Sequence, residues 1–232
     1  MNATVLEAIA GNGYNGFLAT FDGAAPHFHA EGNCRAVCKT TDIASTAGCR
    51  YAVNGGAFNS YFTGGCVGIL ISHGEVLSGD WGTSYPSFGL TRSGSWVIGQ
   101  ITQHTAMALR IHEAVTGLGW LVRRGVAVPE AGGALASRTA VGTDSRGRLM
   151  ILQVDGCEHC VFGAAGLTLR QMADLMVRFG ARHAINMDGG GSSTTAIDGR
   201  LANRPYCLDV VPVPCERAVT SALCVHNQAG SA

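Results

Sequence analysis

One stretch limits what this chain can become: Ala184-Ile185-Asn186-Met187-Asp188-Gly189-Gly190-Gly191-Ser192-Ser193-Thr194-Thr195. An apolar run stops at a carboxylate, three glycines follow, and four hydroxyl residues come after them. Consecutive glycines are poor helix or strand material, because glycine gives up more backbone entropy on ordering than any other residue. They suit a place where backbone passes close to a ligand and turns its N–H groups toward it, an arrangement that favours anions, phosphate above all. Asp188, at the strand end, is then a candidate acid, base, nucleophile or ligand. An ordinary turn needs only one or two glycines and no hydroxyl cluster behind them. The pattern recurs at Tyr51-Ala52-Val53-Asn54-Gly55-Gly56 and where Leu149–Val154 runs into Asp155-Gly156. If the three strands share a sheet, Asn54, Asp155 and Asp188 meet at one sheet edge.

At 232 residues the chain fits one domain or at most two small ones. Its charged fraction of 14% and its 33 glycines describe a turn-rich protein with much β structure. The 16 basic and 16 acidic residues cancel, so no bulk field draws the chain to nucleic acid or an anionic membrane. No apolar run approaches the ~18 residues of a membrane span. Residues 1–20 lack the basic and apolar regions of a signal peptide, so no leader is expected in this sequence. Nine cysteines point to disulfides and an oxidising compartment, the secretory lumen or the extracellular space, with one thiol left over. Zinc is the rival, through Cys157-x-x-Cys160 with Cys34-x-x-x-Cys38. The sequence leaves a homo-oligomeric assembly open.

In chain order, residues 1–33 form an N-terminal extension of the same domain, with Gly16–Phe21 its one strand-like run. His27 and His29 alternate with Pro26 and Phe28; histidines beside a strand are more often surface residues than a metal pair, and they stay unassigned. Thr41-Asp42 is placed to cap a short helix that ends at Gly48. Strands at Val67–Ser72, Phe88–Thr91 and Trp96–Ile101 predict a meander. Residues 106–115 are predicted helical, and Trp120-Leu121-Val122 a strand with its turn at Arg124-Gly125. Residues 138–144 precede a turn at 145–147. The strongest helix prediction covers Thr168–Phe179: Thr168 and Gln171 form a capping box, the apolar stripe has helical spacing, and Gly180 stops it. A hairpin about Asp198-Gly199 and a strand over Ala218–His226 complete the chain.

Taken together, Asn54-Gly55-Gly56-x-Phe58, Ser137-Arg138-Thr139-Ala140-Val141-Gly142, Val154-Asp155-Gly156, Asn186-x-Asp188-Gly189-Gly190-Gly191-Ser192 and Arg217-x-Val219 resemble, in that order, the motifs of the phosphodiester glycosidase family. The resemblance runs from about Cys34 to His226, and Cys34, Cys49, Cys66, Cys207, Cys215 and Cys224 fall where the family carries cysteines. Cys38 and Cys157-x-x-Cys160 depart from the pattern; an Arg or another residue commonly follows that Asp-Gly. The resemblance implies a catalytic domain over residues 34–232 with a mixed α/β (α+β) fold, a mixed sheet with a few packed helices. It implies hydrolysis of a small-molecule or glycan sugar-1-phosphodiester, N-acetylglucosamine being the sugar and a phosphomonoester such as mannose 6-phosphate the second product. No cofactor, metal or nucleic acid is implied.

Within that expectation Asp188 is the first catalytic candidate and Asp155 the second. Asn54, Gly56, Arg138, Thr139, Gly189, Gly190, Gly191, Ser192, Ser193 and Arg217 are the substrate-binding candidates. N–H groups of Gly189–Ser192, with Arg138 and Arg217, would stabilise charge gathering on the phosphate, while a carboxylate meets the cation-like anomeric carbon. The structural alternatives are an ion pair of Arg138 with Asp144 or another carboxylate, and a solvated Arg217. Three other functions compete: a serine esterase using His183 or His226, a phosphodiesterase holding a metal on Asp155 and Asp188, and a non-catalytic phosphosugar- or glycan-binding module.

Overall fold

The computed structural model describes residues 4–11, 13–23, 26–161, 165–208, 210–211 and 213–226. Three antiparallel sheets of seven, five and five strands account for most of them, with two short two-stranded ladders and three α-helices. The single α+β domain is as expected. Its strands, however, divide among several sheets rather than joining one mixed sheet.

The seven-stranded sheet runs in the order Thr4–Gly11, Tyr14–Phe21, Leu149–Val154, Arg138–Asp144, Ala181–Asn186, Gly119–Arg123 and Val126–Ala127. Its middle strands read as near-continuous apolar runs because both faces are covered. Val141, Leu149, Ile151 and Ile185 point into a core shared with Phe28, Tyr51, Val53, Leu70, Phe88 and Leu223 from the other two sheets. Their neighbours Ala140, Met150, Leu152 and Ala184 alternate to the opposite face. There the helix Leu169–Arg178 lays down Met172, Ala173 and Met176, all fully buried. That helix opens on the expected capping box between Thr168 and Gln171 and stops before Gly180, whose φ of 91° needs a glycine.

One five-stranded sheet orders Arg200–Leu201, Thr195–Ile197, Tyr51–Asn54, Ser221–Val225 and Pro26–Ala30. The other orders Trp96–Gly99, Ser87–Thr91, Ile111–Thr116, Ile69–Ser72 and Glu75–Gly79. It is not a meander, since Ile111–Thr116 inserts between the earlier strands. Nor are residues 106–115 one helix: a helix covers Gln103–Ala108 and the chain then reverses into strand at Ile111. Ile111 and Val115, four apart, suggest a helical period, but they pack in different cores, because a bulge opposite Leu90 and Thr91 breaks the alternation of the strand. Glu113 between them is fully buried.

The residues before Cys34 hold three strands. Tyr14–Phe21 pairs with Leu149–Val154, and Pro26–Ala30 pairs with Ser221–Val225. The helix Thr40–Ala47 ends at Gly48 in the left-handed region, as expected, but its N-terminus is not capped by its own sequence. The Glu216 carboxylate accepts from Thr41 N–H at 2.9 Å and from Thr41 Oγ1 at 2.7 Å. No helix among the described residues is long and apolar enough to cross a membrane.

Four disulfides form: Cys34–Cys66, Cys49–Cys224, Cys157–Cys160 and Cys207–Cys215. The Cys157-x-x-Cys160 pair is therefore a crosslink and not half of a zinc ribbon, and Cys38 is the ninth cysteine, left as a thiol. Such disulfide usage belongs to an oxidising compartment.

Candidate active site

The central strand Arg138–Asp144 is antiparallel to both of its neighbours, Leu149–Val154 and Ala181–Asn186. Those neighbours therefore run the same way and finish at the edge where the central strand begins. Asp155 and Asp188 follow their ends, so they flank Ser137, Arg138 and Thr139.

Asn54 reaches this edge from a different sheet, which corrects the expectation of a shared one. Its strand pairs with Thr195–Ile197 and Ser221–Val225. The chain passes from the seven-stranded sheet at Asn186 to the other at Thr195, and the glycine loop is the crossing. Asn54 pins that crossing. Its Oδ1 accepts from Thr139 Oγ1 at 2.7 Å and from Thr194 N–H at 3.2 Å, and its Nδ2 donates to the Asp188 carbonyl at 2.8 Å. Asn54 and Thr139 are both fully buried, and they hold the loop from behind.

The glycine loop differs from a row of open donors. Gly189 N–H donates to Asp188 Oδ1, Gly190 N–H to the Ser137 carbonyl, Ser192 N–H to Gly189 and Ser193 N–H to Gly190. These donors close a short 3-10 turn over Gly190–Ser192. Close packing explains the glycines. A Cβ on Gly189 would lie 3.0 Å from the Ser137 carbonyl oxygen, and one on Gly191 would lie 2.6 Å from Arg217 Nη2 and 2.7 Å from the Cys207 carbonyl oxygen. A Cβ on Gly56 would sit 2.5 Å from the Thr116 carbonyl oxygen. Gly56, Gly191, Ser192 and Ser193 are buried, whereas Asp188, Gly189, Gly190, Asp155, Arg138 and Arg217 are partly exposed.

Two guanidiniums flank the loop. Arg138 donates from Nε to the Leu167 carbonyl at 3.1 Å and from Nη2 to the Ala134 carbonyl at 2.9 Å. Its Nη1 lies 3.8 Å from where a Gly189 Cβ would be. Burial pulls the Arg138 guanidinium below the ordinary arginine value, and Glu158 acts against that. The expected partner Asp144 is instead bound to Arg148 at 2.7 Å, at the other end of the strand. Arg217 donates from Nε and Nη2 to the Cys207 carbonyl, inside the Cys207–Cys215 loop, and from Nη1 to Ser192 Oγ at 3.4 Å. The ring of Tyr61 covers it, 4.6 Å from guanidinium carbon to ring centre.

The two carboxylates have different surroundings. Asp155 accepts from Gln153 Nε2 at 3.0 Å, Asn203 Nδ2 at 2.7 Å and Arg204 N–H at 3.1 Å. Asn203 also donates to the Ser193 carbonyl, so Asp155 is tied to the far side of the glycine loop. A cleft of about 480 Å³ opens beside it, lined by Asn203, Arg204, Tyr206 and by Ile9 and Asn15 of the N-terminal hairpin. Asp188 lies partly exposed at the mouth of the loop. Ser137, Asn203 and Tyr61 went unnoticed as site residues in the sequence. Ser137 stands in the quoted Ser-Arg-Thr motif, but its hydrogen bonds to the Gly156 and Gly190 carbonyls depend on tertiary contact.

The histidines proposed for a serine esterase lie elsewhere. His183 packs beside Trp120 in a cleft with Arg123 and Arg124. Burial, then the charges of Arg182, Arg124 and Arg123, hold its imidazole below the ordinary histidine range. His226 follows the end of Ser221–Val225 opposite Ala222, the residue paired with Asn54, and packs tilted against His27 and edge-on to His29. Among the described residues the Ser193 hydroxyl has no hydrogen-bond partner, and Ser192 Oγ faces Arg217.

Asp155, Asp188 and the guanidiniums of Arg138 and Arg217 thus gather around the glycine loop, and among the described residues no histidine is bonded to Ser192 or Ser193. Comparison with known proteins gives the family. The phosphodiester glycosidase family matches residues 47–226, and the chain belongs to that family. It is 32% identical over 220 residues to the N-acetylglucosamine-1-phosphodiester alpha-N-acetylglucosaminidase of Bos taurus, covering 84% of this chain and 41% of the relative. The Mus musculus enzyme of the same name is 33% identical over 208 residues, covering 80% of this chain and 39% of the relative. The chain thus spans about two-fifths of the length of these relatives. The zebrafish catalytic domain of that name, solved in a form auto-inhibited by its pro-peptide, superposes with a TM-score of 0.82 at 25% identity, covering 98% of this chain and 83% of that one. A hypothetical protein from Synechocystis shares the fold, at a TM-score of 0.64 and 17% identity over 96% of this chain and 61% of that one.

Proposed function

We propose that the chain hydrolyses the C1–O bond of a sugar-1-phosphodiester, releasing N-acetylglucosamine and leaving a phosphomonoester such as mannose 6-phosphate. One observation carries this reading: Asp188 opens directly onto a glycine loop flanked by Arg138 on one side and Arg217 on the other. A phosphodiester bears one negative charge, and the departing phosphomonoester gains a second as the bond breaks. Fixed guanidiniums beside the leaving group are worth most at that moment. Because a sugar phosphate leaves readily, the harder demand is at the anomeric carbon, which becomes cation-like and needs a carboxylate against it. Asp188 fills that role. Asp155, its oxygens committed to Gln153, Asn203 and Arg204, positions the loop and borders the cleft that receives part of the diester. The same commitment disfavours a metal shared between Asp155 and Asp188. The choice of N-acetylglucosamine rests on the names of the relatives, and the secretory lumen or extracellular space on the disulfides together with those relatives.

The test is product analysis with an N-acetylglucosamine-α-phosphomannoside, wild type beside Asp188→Asn. Free N-acetylglucosamine and intact phosphomannose from the wild type alone support the reading. N-acetylglucosamine 1-phosphate would place the attack on phosphorus and overturn it, and binding without turnover would leave a glycan-binding module.

A further inference from the structure

Glu113 is fully buried, and among the described residues no lysine or arginine forms an ion pair with it. Among the described residues its ion-pair partners are His27 at 3.1 Å and His73 and His112 at 3.9 Å. Its oxygens also accept the backbone N–H groups of Phe28 and His73, each at 2.9 Å, so the carboxylate is fixed in place. A buried carboxylate is costly unless a cation faces it. The donor atoms of His27, His73 and Glu113 lie within 4.8 Å of one another. His29 borders this group without belonging to it, its ring centre 6.0 Å from that of His73, and among the described residues its buried Nε2 has no hydrogen-bond partner.

The rings of His27 and His73 are stacked, with 4.8 Å between centres and 7° between planes, so closing on one ion requires a ring to turn about its side-chain bonds. His73 Nδ1 meets Ser72 Oγ at 2.9 Å, a contact that such a turn exchanges for the ion. His226 packs against the group but is already engaged, with Nε2 at 3.4 Å from Cys224 Sγ and Nδ1 at 3.2 Å from the Gly48 carbonyl. Cys224 is in a disulfide and offers no thiolate.

We propose that His27, His73 and Glu113 form a binding site for a divalent transition metal of the zinc type. Two imidazoles and one carboxylate are a borderline donor set that such ions accept and that calcium and magnesium do not favour. The ligands come from both five-stranded sheets: His27 from Pro26–Ala30, His73 from the turn after Ile69–Ser72, and Glu113 from Ile111–Thr116. The ion therefore clamps one sheet to the other while neutralising the buried carboxylate. His27 pairs with Cys224, which pairs on its other side with Ala52, so the clamp lies two strands across from the strand that carries Asn54. The backbone prepares the site as well: His73 sits in the left-handed region at φ 52°, followed by Gly74 at φ 83°, in a two-residue turn where asparagine is the usual occupant.

The test uses tag-free protein stripped with chelator, titrated with zinc chloride by calorimetry and followed by thermal unfolding. Wild type binds one equivalent and gains thermal stability. His73→Asn, which preserves the turn and changes an exposed side chain, weakens binding by about 100-fold or more. His159→Ala, on a histidine outside the group, binds as wild type does. Absence of saturable binding in the folded wild type, or wild-type affinity in His73→Asn, would overturn the site.

Discussion

At the scale of single residues, the account separates two carboxylates that the sequence presents alike. Both end an apolar run and precede glycine, and only the structure shows Asp155 accepting from Gln153, Asn203 and Arg204 while Asp188 accepts from Gly189 N–H at the glycine loop. Asp188→Asn is accordingly expected to lower kcat by about 10²–10⁴-fold with little change in stability. Asp155→Asn should instead lose about 1–3 kcal/mol of stability, because Asn203 and Arg204 are left facing a weaker acceptor. Kinetics beside denaturant unfolding of the two variants would show the split, and equal loss of activity at unchanged stability would contradict it. Asp144 offers a test away from the site. Burial pushes its carboxyl up, but hydrogen bonds from Arg148 and Arg146 and the Arg148 charge outweigh burial and hold it below the ordinary range. A carboxyl lowered on folding stabilises above its unfolded value, and that contribution fades as pH falls through the folded value. Asp144→Asn should therefore be less stable than wild type at neutral pH, and the gap should close as pH drops below about 4. A gap that stays constant with pH would refute the linkage.

At the scale of elements, the glycine loop is a crossing between two sheets. Its glycines were legible as an unusual run ending a strand. Their reason was not, because it lies in Ser137, Cys207 and Arg217, which are distant in sequence. The expected row of open donors became a closed turn, so under the proposed function the anion-facing role falls to the guanidiniums. Gly191→Ala measures this directly. A methyl group there meets a backbone carbonyl and the Arg217 side chain, so activity should fall along with about 1–3 kcal/mol of stability. Activity retained in the folded variant would mean that the position of Arg217 does not matter. The helix Leu169–Arg178 was readable because cap, stripe and stop are all local. The strand Ile111–Thr116 was not, because a bulge breaks its alternation and a buried glutamate stands among its apolar residues.

At the scale of the molecule, local patterning shows strands but not their partners. Tyr14–Phe21 joins Leu149–Val154, and Pro26–Ala30 joins Ser221–Val225, across most of the chain. Nothing at positions 14–30 announces either pairing. The ordered motifs did identify the family, since five short signatures in sequence carry more information than any one. Cys49–Cys224, whose ends are 175 positions apart in sequence, closes most of the domain. Replacing both cysteines with alanine should cost about 3–5 kcal/mol, read by chemical denaturation. A loss under 1 kcal/mol would show that the sheets alone fix the fold.

The central claim is that the bond broken lies between the sugar carbon and oxygen. Hydrolysis of the phosphomannoside diester in oxygen-18 water, followed by mass spectrometry of both products, tests it most directly. The account predicts the label in the anomeric hydroxyl of N-acetylglucosamine and none in the phosphate. Label in the phosphate would mean attack on phosphorus and would contradict the roles given to Asp188, Arg138 and Arg217.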